Sequence, residues 1–204
     1  GFKEALDVSL AAEALSRKTS EFLKANPGIY ISSSCPVVVR LIKLMYPELT
    51  EHLLPLKAPT DAMAEKARKD AAAKGVRPED VGIFFITPCP GKNTTTFDPV
   101  GIDKSPIDKT IAVSQAYQAV LAVLDKHQDT AKDGASIPYL GIGWGQSGGE
   151  VKLLHEKIQS HSLSVSGIHR VRALLNELSR NNIKGVRYFE LSACEYGCVG
   201  GIFN

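Results

Sequence analysis

The sequence predicts an α/β protein in which mostly parallel sheets are flanked by helices. Short apolar runs alternate along the chain with longer segments whose apolar residues recur at helical spacing. This alternation favours parallel strands, because the connection between two parallel strands usually contains a helix. The composition agrees, since 44% of the 204 residues are hydrophobic and 23% are charged. We expect one domain over residues 1–204, built as one or two lobes.

The first half of the chain is predicted to alternate three helices with two strands. The predicted helices are 5–25, 37–45 and 62–74, and the predicted strands are 29–31 and 81–86. Pro36 fits the first turn of the second helix. Thr60 is a good candidate to cap the third helix, and Gly75 is expected to stop it. The run 81–86 is nearly all apolar, which suits the middle of a sheet.

The second half is predicted to begin with a loop and to end with a strand. Residues 93–108 are rich in Thr, Asp and Pro and indicate a loop. The predicted helices are 108–126, 150–158 and 168–179, and the extended segments are 163–166 and 186–191. Residues 128–136 are polar, and we expect them to be exposed.

The charge pattern excludes several classes of partner. The net charge is +2, and the basic residues are scattered, so neither nucleic acid nor an anionic membrane is an expected partner.

No apolar stretch has the length that a transmembrane helix needs, and the amphipathic start of the chain does not fit a signal peptide. We therefore expect a reducing, cytoplasmic location.

The four cysteines carry the clearest chemical signal. Cys194 and Cys198 are spaced C-x3-C, and Gly197 between them permits backbone conformations that other residues resist. Cys35, Cys89 and Cys194 each follow a predicted strand within about four residues. Since ligands collect at the carboxyl ends of parallel strands, a single sheet edge could gather them. An iron–sulfur cluster, a zinc site and four structural thiols remain open, although the wide separation of Cys35 from Cys89 argues against a zinc finger.

Two further patterns are weaker. The glycine-rich segment 141–149 lies between a short predicted strand, 137–140, and a predicted helix. It could cradle a phosphate, but it lacks the acidic residue or Gly-Lys-Ser/Thr that such sites carry. The histidines show no metal-ligand spacing, so we expect them on the surface or on helix faces. They are His52, His127, His155, His161 and His169.

The cysteine segments resemble the three signature loops of [FeFe]-hydrogenase large subunits. The matching segments are Ser33-Ser34-Cys35-Pro36, Pro88-Cys89-Pro90-Gly91-Lys92 and residues 193–201. Supporting segments at 46–49, 57–59, 143–149 and 165–168 match in the same order, so the resemblance runs from about residue 5 to the end of the chain. Residues 34–42 further resemble the hydrogenase-like domains that are fused to PAS and kinase-type sensory modules.

The resemblance implies a role for each matched residue. Cys35, Cys89, Cys194 and Cys198 correspond to the ligands of the [4Fe–4S] part of the H-cluster. The cysteine that matches Cys198 also bridges to a two-iron subsite, and the lysine that matches Lys92 contacts a cyanide of that unit. Glu13 corresponds loosely to an acidic residue of the proton path. In the family, segment 141–149 would be a turn beside the cluster pocket, with Gln146 and Ser147 as pocket groups.

The chain also departs from the catalytic members of that family. Ser34 stands where those members carry a proton-shuttling cysteine, and a hydroxyl is a poor proton relay near neutral pH. Thr87 and Ser192 replace two methionines that pack the two-iron site, so the pocket would be more polar. The segment before Cys35 is short, so most of the lobe that covers the site in the family would be absent. We expect the chain to be a fragment of a longer protein or a short natural variant.

Three functions follow from the resemblance. The first is a [4Fe–4S] domain for redox or hydrogen sensing or electron transfer, with weak or no hydrogen turnover. The second is a fragment of a catalytic hydrogenase that needs the rest of its chain and a two-iron subsite. The third, a relative of the cytosolic iron–sulfur assembly factors, ranks last because the extra N-terminal cysteines of those proteins are absent here. The expected partners are electron-transfer domains, either ferredoxin-like or PAS, in the same chain or in another.

Overall fold

The computed structural model describes residues 1–124 and 139–204. The α-helices are α1 Ser9–Ala25, α2 Pro36–Met45, α3 Pro59–Ala73, α4 Pro90–Phe97, α5 Val113–Leu124, α6 Tyr139–Ile142, α7 Gly149–Lys152, α8 Glu156–Gln159 and α9 Ile168–Ser179. The strands are β1 Tyr30–Ile31, β2 Phe84–Thr87, β3 Lys109–Ala112, β4 Ser162–Ser166 and β5 Tyr188–Ser192. Short 3-10 turns include Pro47–His52, Gly143–Gly145 and Cys198–Gly200.

The strands form two separate parallel sheets. The larger sheet has the order β1-β5-β4, and the smaller one pairs β2 with β3. In the larger sheet Ile31 lies opposite Phe189, and Val165 lies opposite Leu191. In the smaller sheet Thr87 lies opposite Ala112. The predicted class, mostly parallel sheets flanked by helices, is confirmed.

The main core lies between the three-stranded sheet and helices α2 and α9. Its side chains recur at helical spacing on the two helices and alternate or run continuously on the strands, as a buried parallel sheet requires. The buried members are Ile31, Val38, Ile42, Tyr46, Leu49, Val171, Leu175, Leu178, Phe189 and Leu191. This packing fixes the carboxyl ends of β1 and β5, which lead directly into two of the cysteine loops.

Several elements agree with the prediction from sequence. The helix α9 has the predicted bounds, and α2 begins at Pro36 in its first turn. The extended segment 163–166 is β4, and the last strand is present but lies at Tyr188–Ser192. Gly75 follows α3 with a positive φ of 79°, as a helix stop requires.

Other elements differ from the prediction. The segment 93–108 is not all loop, because α4 covers Pro90–Phe97. The predicted helix 108–126 begins with strand β3, and residues 125–126 lie outside the described residues, as does 128–136. The predicted central strand 81–86 is shorter and pairs on one side only. Two of its large side chains, Phe84 and Ile86, which share one face of the strand, are half exposed.

Three helix boundaries were also wrong. The first helix begins at Ser9 rather than near residue 5. The helix α3 begins at Pro59 after Ala58, so Thr60 lies inside its first turn and does not cap it. The predicted helix 150–158 is divided into α7 and α8. Among the helices of the two described ranges, none has the length and apolar composition needed to cross a bilayer.

Candidate functional site

The four cysteines lie on loops that leave both sheets. Cys35 follows β1 and precedes α2, and Cys194 follows β5 by two residues. Cys89 follows β2 of the smaller sheet and precedes α4, whereas Cys198 begins the last 3-10 turn. The expectation that one sheet edge gathers three cysteines was therefore wrong. The carboxyl ends of two sheets contribute to the site instead.

The cysteines are close enough to influence one another electrostatically. Burial raises the pKa of the Cys198 thiol to about 11, Lys92 opposes the rise, and Cys35, Cys89 and Cys194 add to it. Burial also raises the pKa of Cys194, and Cys89 and Cys35 add to that rise. All four thiols are free. The structure thus brings together thiols from the first, middle and last parts of the chain.

A single metal ion and an iron–sulfur cluster require different spacings of the four thiols. Within residues 1–124 and 139–204, no three His, Cys, Asp or Glu side chains are close enough to hold one metal ion together. A single zinc ion needs all its thiolates at about 2.3 Å from one centre. In a [4Fe–4S] cluster each thiolate binds a different iron, so the sulfurs lie farther apart. A zinc site would therefore require the four sulfurs to lie closer together than a [4Fe–4S] cluster does.

A cavity of about 410 Å³ lies beside two of the cysteines. Five of the eight residues predicted for the site line it: Ser34, Thr87, Cys89, Lys92 and Cys198. The other three, Cys35, Cys194 and Ser192, are half-buried and lie outside its lining. Ser192 is the last residue of β5, where its carbonyl accepts a hydrogen bond from the Gly167 N–H at 2.9 Å.

Lys92 is held at the wall of this cavity. Its Nζ donates to the Ser34 carbonyl at 3.4 Å and to Thr60 Oγ1 at 3.2 Å. Its backbone N–H donates to Cys89 Sγ at 3.4 Å, and Thr87 Oγ1 accepts from the Cys89 N–H at 3.1 Å. Hydrogen bonds to ligand sulfurs are one of the means by which proteins tune a cluster potential. Lys92 can therefore act on the site through both its amide and its ammonium group.

Gly197 gives the C-x3-C turn its shape. Its φ is 83°, and a Cβ at this position would lie 2.7 Å from the Gly145 carbonyl oxygen and 2.7 Å from the Ser147 amide. Ser147 N donates to the Tyr196 carbonyl at 3.0 Å, and Gln146 forms an antiparallel bridge with Gly197. The turn therefore packs backbone against backbone, which only glycine permits.

The segment 141–149 is a wall of the cavity rather than a helix-capping phosphate loop. Gly141, Trp144 and Gly145 line the cavity, whereas Gln146 and Ser147 contact the cysteine turn and are absent from the lining. A side chain at Gly149 would overlap the Gly143 carbonyl. Close backbone packing accounts for these glycines, and the following helix α7 has only four residues.

The remaining candidates lie away from the cavity lining. Glu13 is half-buried on α1. His155, His161 and His169 are exposed, His52 is half-buried, and His127 lies outside the described residues. The ring of His52 forms a hydrogen bond with the Ile29 carbonyl at 3.1 Å. The prediction of surface roles therefore agrees with the structure for three histidines.

A buried acidic network lies behind the cysteine loops, and the sequence interpretation missed it. Ser32 Oγ donates to Glu150 Oε2 at 2.7 Å, and the Tyr188 hydroxyl donates to Glu150 Oε1 at 2.5 Å. Glu190 accepts from the Gly148 N–H at 2.8 Å, from the Val151 N–H at 2.9 Å and from Ser164 Oγ at 3.2 Å. Both glutamates are 5% exposed. The sequence did offer one signal for this network, because Glu190 is a charged residue inside the otherwise largely apolar run 186–191.

Burial changes the protonation of this network. It raises the pKa of Glu150 to about 7, while the hydrogen bonds from Tyr188 and Ser32 oppose the rise and Glu190 adds to it. Burial also raises the pKa of Glu190, against the hydrogen bonds from the backbone and Ser164. Glu150 is therefore divided between acid and carboxylate near neutral pH.

The donor set fits a thiolate-held iron–sulfur cluster. Four free thiols converge from three loops, and a cavity with a lysine in its wall adjoins two of them, Cys89 and Cys198. An amide donor is also present at the Cys89 sulfur. Cys35, Cys89, Cys194 and Cys198 would hold the cluster, which supplies one-electron chemistry when bound.

Comparison with known proteins identifies a family and a fold. Residues 1–114 match the family described as iron only hydrogenase large subunit, C-terminal domain. Among solved structures, [FeFe]-hydrogenase HydA1 from Chlamydomonas reinhardtii is similar with a TM-score of 0.66 and 18% identity, covering 98% of this chain and 70% of that one. The structure of HydA(deltaEFG), which reveals stepwise [FeFe]-hydrogenase H-cluster assembly, is similar with a TM-score of 0.70 and 18% identity. That match covers 98% of this chain and 70% of the other.

Proposed function

Since the chain belongs to the family formed by the C-terminal domain of iron-only hydrogenase large subunits, we propose that it is a [4Fe–4S] domain for redox or hydrogen sensing or electron transfer. The ligands are Cys35, Cys89, Cys194 and Cys198. The observation that carries this proposal is the convergence of four free thiols from three loops, two of them, Cys89 and Cys198, beside one cavity. Such a cluster accepts and releases single electrons.

The lining of the cavity supports weak or no hydrogen turnover. Ser34 and Thr87 both line it, so hydroxyl groups occupy positions where catalytic members carry a thiol and a thioether. A hydroxyl holds its proton far more tightly than a thiol does, so it exchanges protons slowly near pH 7. Electron exchange at the cluster requires no such relay.

A sensing or electron-transfer role requires a redox partner. The partner we propose is a ferredoxin-like or PAS domain, in the same chain or in another, within a reducing cytoplasm. The similarity of residues 34–42 to sensory hydrogenase-like domains supports this choice. The arginine in that segment, Arg40, forms an ion pair with Asp98 at 2.7 Å that ties α2 to the end of α4.

A catalytic hydrogenase is the second candidate, and one observation favours it. The cavity beside Cys198 has a volume of about 410 Å³ and carries Lys92 in its wall. This space and this cation suit a second, anionic metal unit next to the cluster. As a catalyst, the complete, matured protein would interconvert hydrogen with protons and electrons.

Anaerobic reconstitution with iron and sulfide tests both candidates. The proposal expects about four irons per chain and the EPR spectrum of a reduced [4Fe–4S] cluster. About six irons, together with infrared bands of bound CO and CN in the matured full-length protein, would favour the catalytic candidate. A folded chain that binds no iron under these conditions would refute both.

Single substitutions identify the ligands. Cys35→Ser, Cys89→Ser, Cys194→Ser and Cys198→Ser should each reduce the iron content and change the EPR spectrum, because each removes one thiolate. Ser166→Ala is the matched control, since Ser166 is paired with Ser192 in the neighbouring strand but carries no thiol. Retention of a normal cluster in any one cysteine variant would remove that residue from the ligand set.

A further inference from the structure

The Glu150 network connects three of the segments that build the site. Ser32, which donates to Glu150, also accepts from the Ser34 N–H at 3.3 Å, next to Cys35. Tyr188 and Glu190 belong to β5, which leads to Cys194. Glu150 itself lies in the first turn of α7, next to the 141–149 segment that packs against Gly197. The Glu150 carboxyl group is therefore linked, through Ser32, strand β5 and the 141–149 segment, to the loops that carry Cys35, Cys194 and Cys198.

We propose that Glu150 is the proton acceptor that compensates the charge when the cluster takes up an electron. The inference rests on the proposed cluster. One electron comes from a one-electron donor, which is an iron–sulfur protein in the cell or a reduced viologen in vitro. One proton comes from the solvent and forms an O–H bond on the Glu150 carboxylate, so the net charge of the site is unchanged. No other bond forms or breaks.

The surroundings of Glu150 favour this response. The carboxylate is 5% exposed, so an added negative charge nearby is poorly screened by water. Both its oxygens accept hydrogen bonds, from Ser32 and Tyr188, which keep the ionised form accessible despite burial. The group is thus balanced between two charge states, and a more negative charge at the site favours its protonated form.

The groups that face Glu150 are few in the part of the chain that the structure describes. Strand β5 presents Tyr188 and Glu190, and the end of β1 presents the neutral Ser32. Strand β4 contributes Ser164, which donates to Glu190. Tyr188 keeps its proton, because burial raises its pKa well above the usual value. The negative charge of Glu150 adds to that rise. Glu190 is anchored by two backbone amides, which stabilise its charged form. Glu150 is therefore the group that responds.

The test is a potentiometric titration of the reconstituted cluster at several pH values, followed by EPR. In the wild-type chain the cluster potential should be constant in mild acid and should fall as the pH rises above about 7. Glu150→Gln should remove the pH dependence, because its amide takes up no proton. Glu156→Gln is the matched control, since Glu156 is exposed on α8, and it should behave as the wild type.

Tyr188→Phe provides a second readout that a purely structural role would not produce. The Tyr188 hydroxyl stabilises the Glu150 carboxylate, so its loss should move the onset of the pH dependence to higher pH. In the cluster-free chain, infrared difference spectra should show a protonated carboxyl band that titrates near neutral pH and is absent in Glu150→Gln.

The outcomes separate the inference from the proposed function. A folded chain without iron would remove the function and this inference with it. A bound cluster whose potential does not change with pH would overturn the inference alone. A Glu150→Gln variant that keeps the wild-type pH dependence of the cluster potential would also overturn the inference and leave the proposed function intact.

Discussion

Ser34 is the residue at which the chain differs most informatively from a catalytic hydrogenase. It lines the cavity together with Cys89 and Cys198, and its carbonyl accepts from Lys92. A thiol at this position would place an exchangeable proton at the cavity wall. The Ser34 hydroxyl is polar, but a hydroxyl does not release its proton near pH 7.

Ser34→Cys should increase hydrogen turnover in the complete, matured protein. A positioned proton relay contributes 10²- to 10⁴-fold to catalysis, and we expect a gain of about tenfold or more because other parts of the proton path also differ. Hydrogen evolution with reduced methyl viologen measures the effect. Ser33→Cys is the control, since Ser33 Oγ donates to the Leu56 carbonyl at 2.6 Å and lies outside this cavity. An unchanged rate in Ser34→Cys would contradict the argument.

The C-x3-C turn is an element whose shape depends on one glycine. Gly197→Ala should destabilise the fold by about 2–3 kcal/mol or more, because its backbone conformation is almost restricted to glycine and the new Cβ would contact two backbone atoms at 2.7 Å. Urea unfolding followed by circular dichroism measures the loss.

Gly75→Ala separates backbone strain from the steric contact. Gly75 has a similar φ of 79°, but nothing lies within 4 Å of its added Cβ. We expect a loss of about 1 kcal/mol there, from strain alone. Equal losses in the two variants would show that neither the ψ of −154° nor the close contacts at Gly197 add to the cost of a positive φ.

Elements with clear boundary signals were predictable from the sequence, and elements without them were not. The helix α9 lies between Gly167, with a φ of 92°, and Asn181, with a φ of 57°, so both ends are marked. The strand β3 runs directly into α5 at Ala112–Val113, and no turn residue separates them. Its apolar residues therefore matched the helical period of α5, which concealed the strand.

Site residues were predictable where a motif carried them. The cysteines, Ser34 and Lys92 belong to short signature segments, and the structure brings four of these six residues to one cavity. Glu150 and Ser32 belong to no motif, and their contact joins residues 118 positions apart. Such a pairing depends on the order of the strands, which local patterns do not encode.

At the scale of the whole molecule, Glu150 links stability to pH. Burial raises its pKa in the folded chain from the ordinary value of 4.5 to about 7, so the folded state binds this proton more tightly than the unfolded state. Its contribution is complete below about pH 4.5 and is lost as the pH rises through about 7, by an amount on the order of 3 kcal/mol.

Glu150→Gln should therefore flatten the pH dependence of stability. Chemical unfolding of the cluster-free chain between pH 5 and pH 8 should show a falling free energy of unfolding in the wild type and a smaller fall in the variant. The residual slope should reflect Glu190, whose pKa burial also raises. Parallel curves for the two proteins would show that Glu150 has the same proton affinity in the folded and unfolded chains.

Cluster binding should also stabilise the molecule as a whole. Any group that binds the folded chain and not the unfolded chain raises the free energy of unfolding, by about 2.7 kcal/mol at 100 times the dissociation constant. We expect a higher Tm after anaerobic loading than before it, measured by calorimetry. Loss of this increase in Cys89→Ser, with an unchanged Tm of the cluster-free variant, would assign it to the cluster.

The division of the four cysteines between two sheets has a mechanical consequence. Cys35 and Cys194 extend from the three-stranded sheet and Cys89 from the two-stranded sheet, and the hydrogen bond from the Phe203 N–H to the Pro88 carbonyl at 3.0 Å ties the end of the chain to the smaller sheet. An inserted cluster would act as a cross-link that closes long loops between the sheets. Loss of the cluster would then remove that cross-link, so the occupancy of the site would determine how firmly the two sheets are held together.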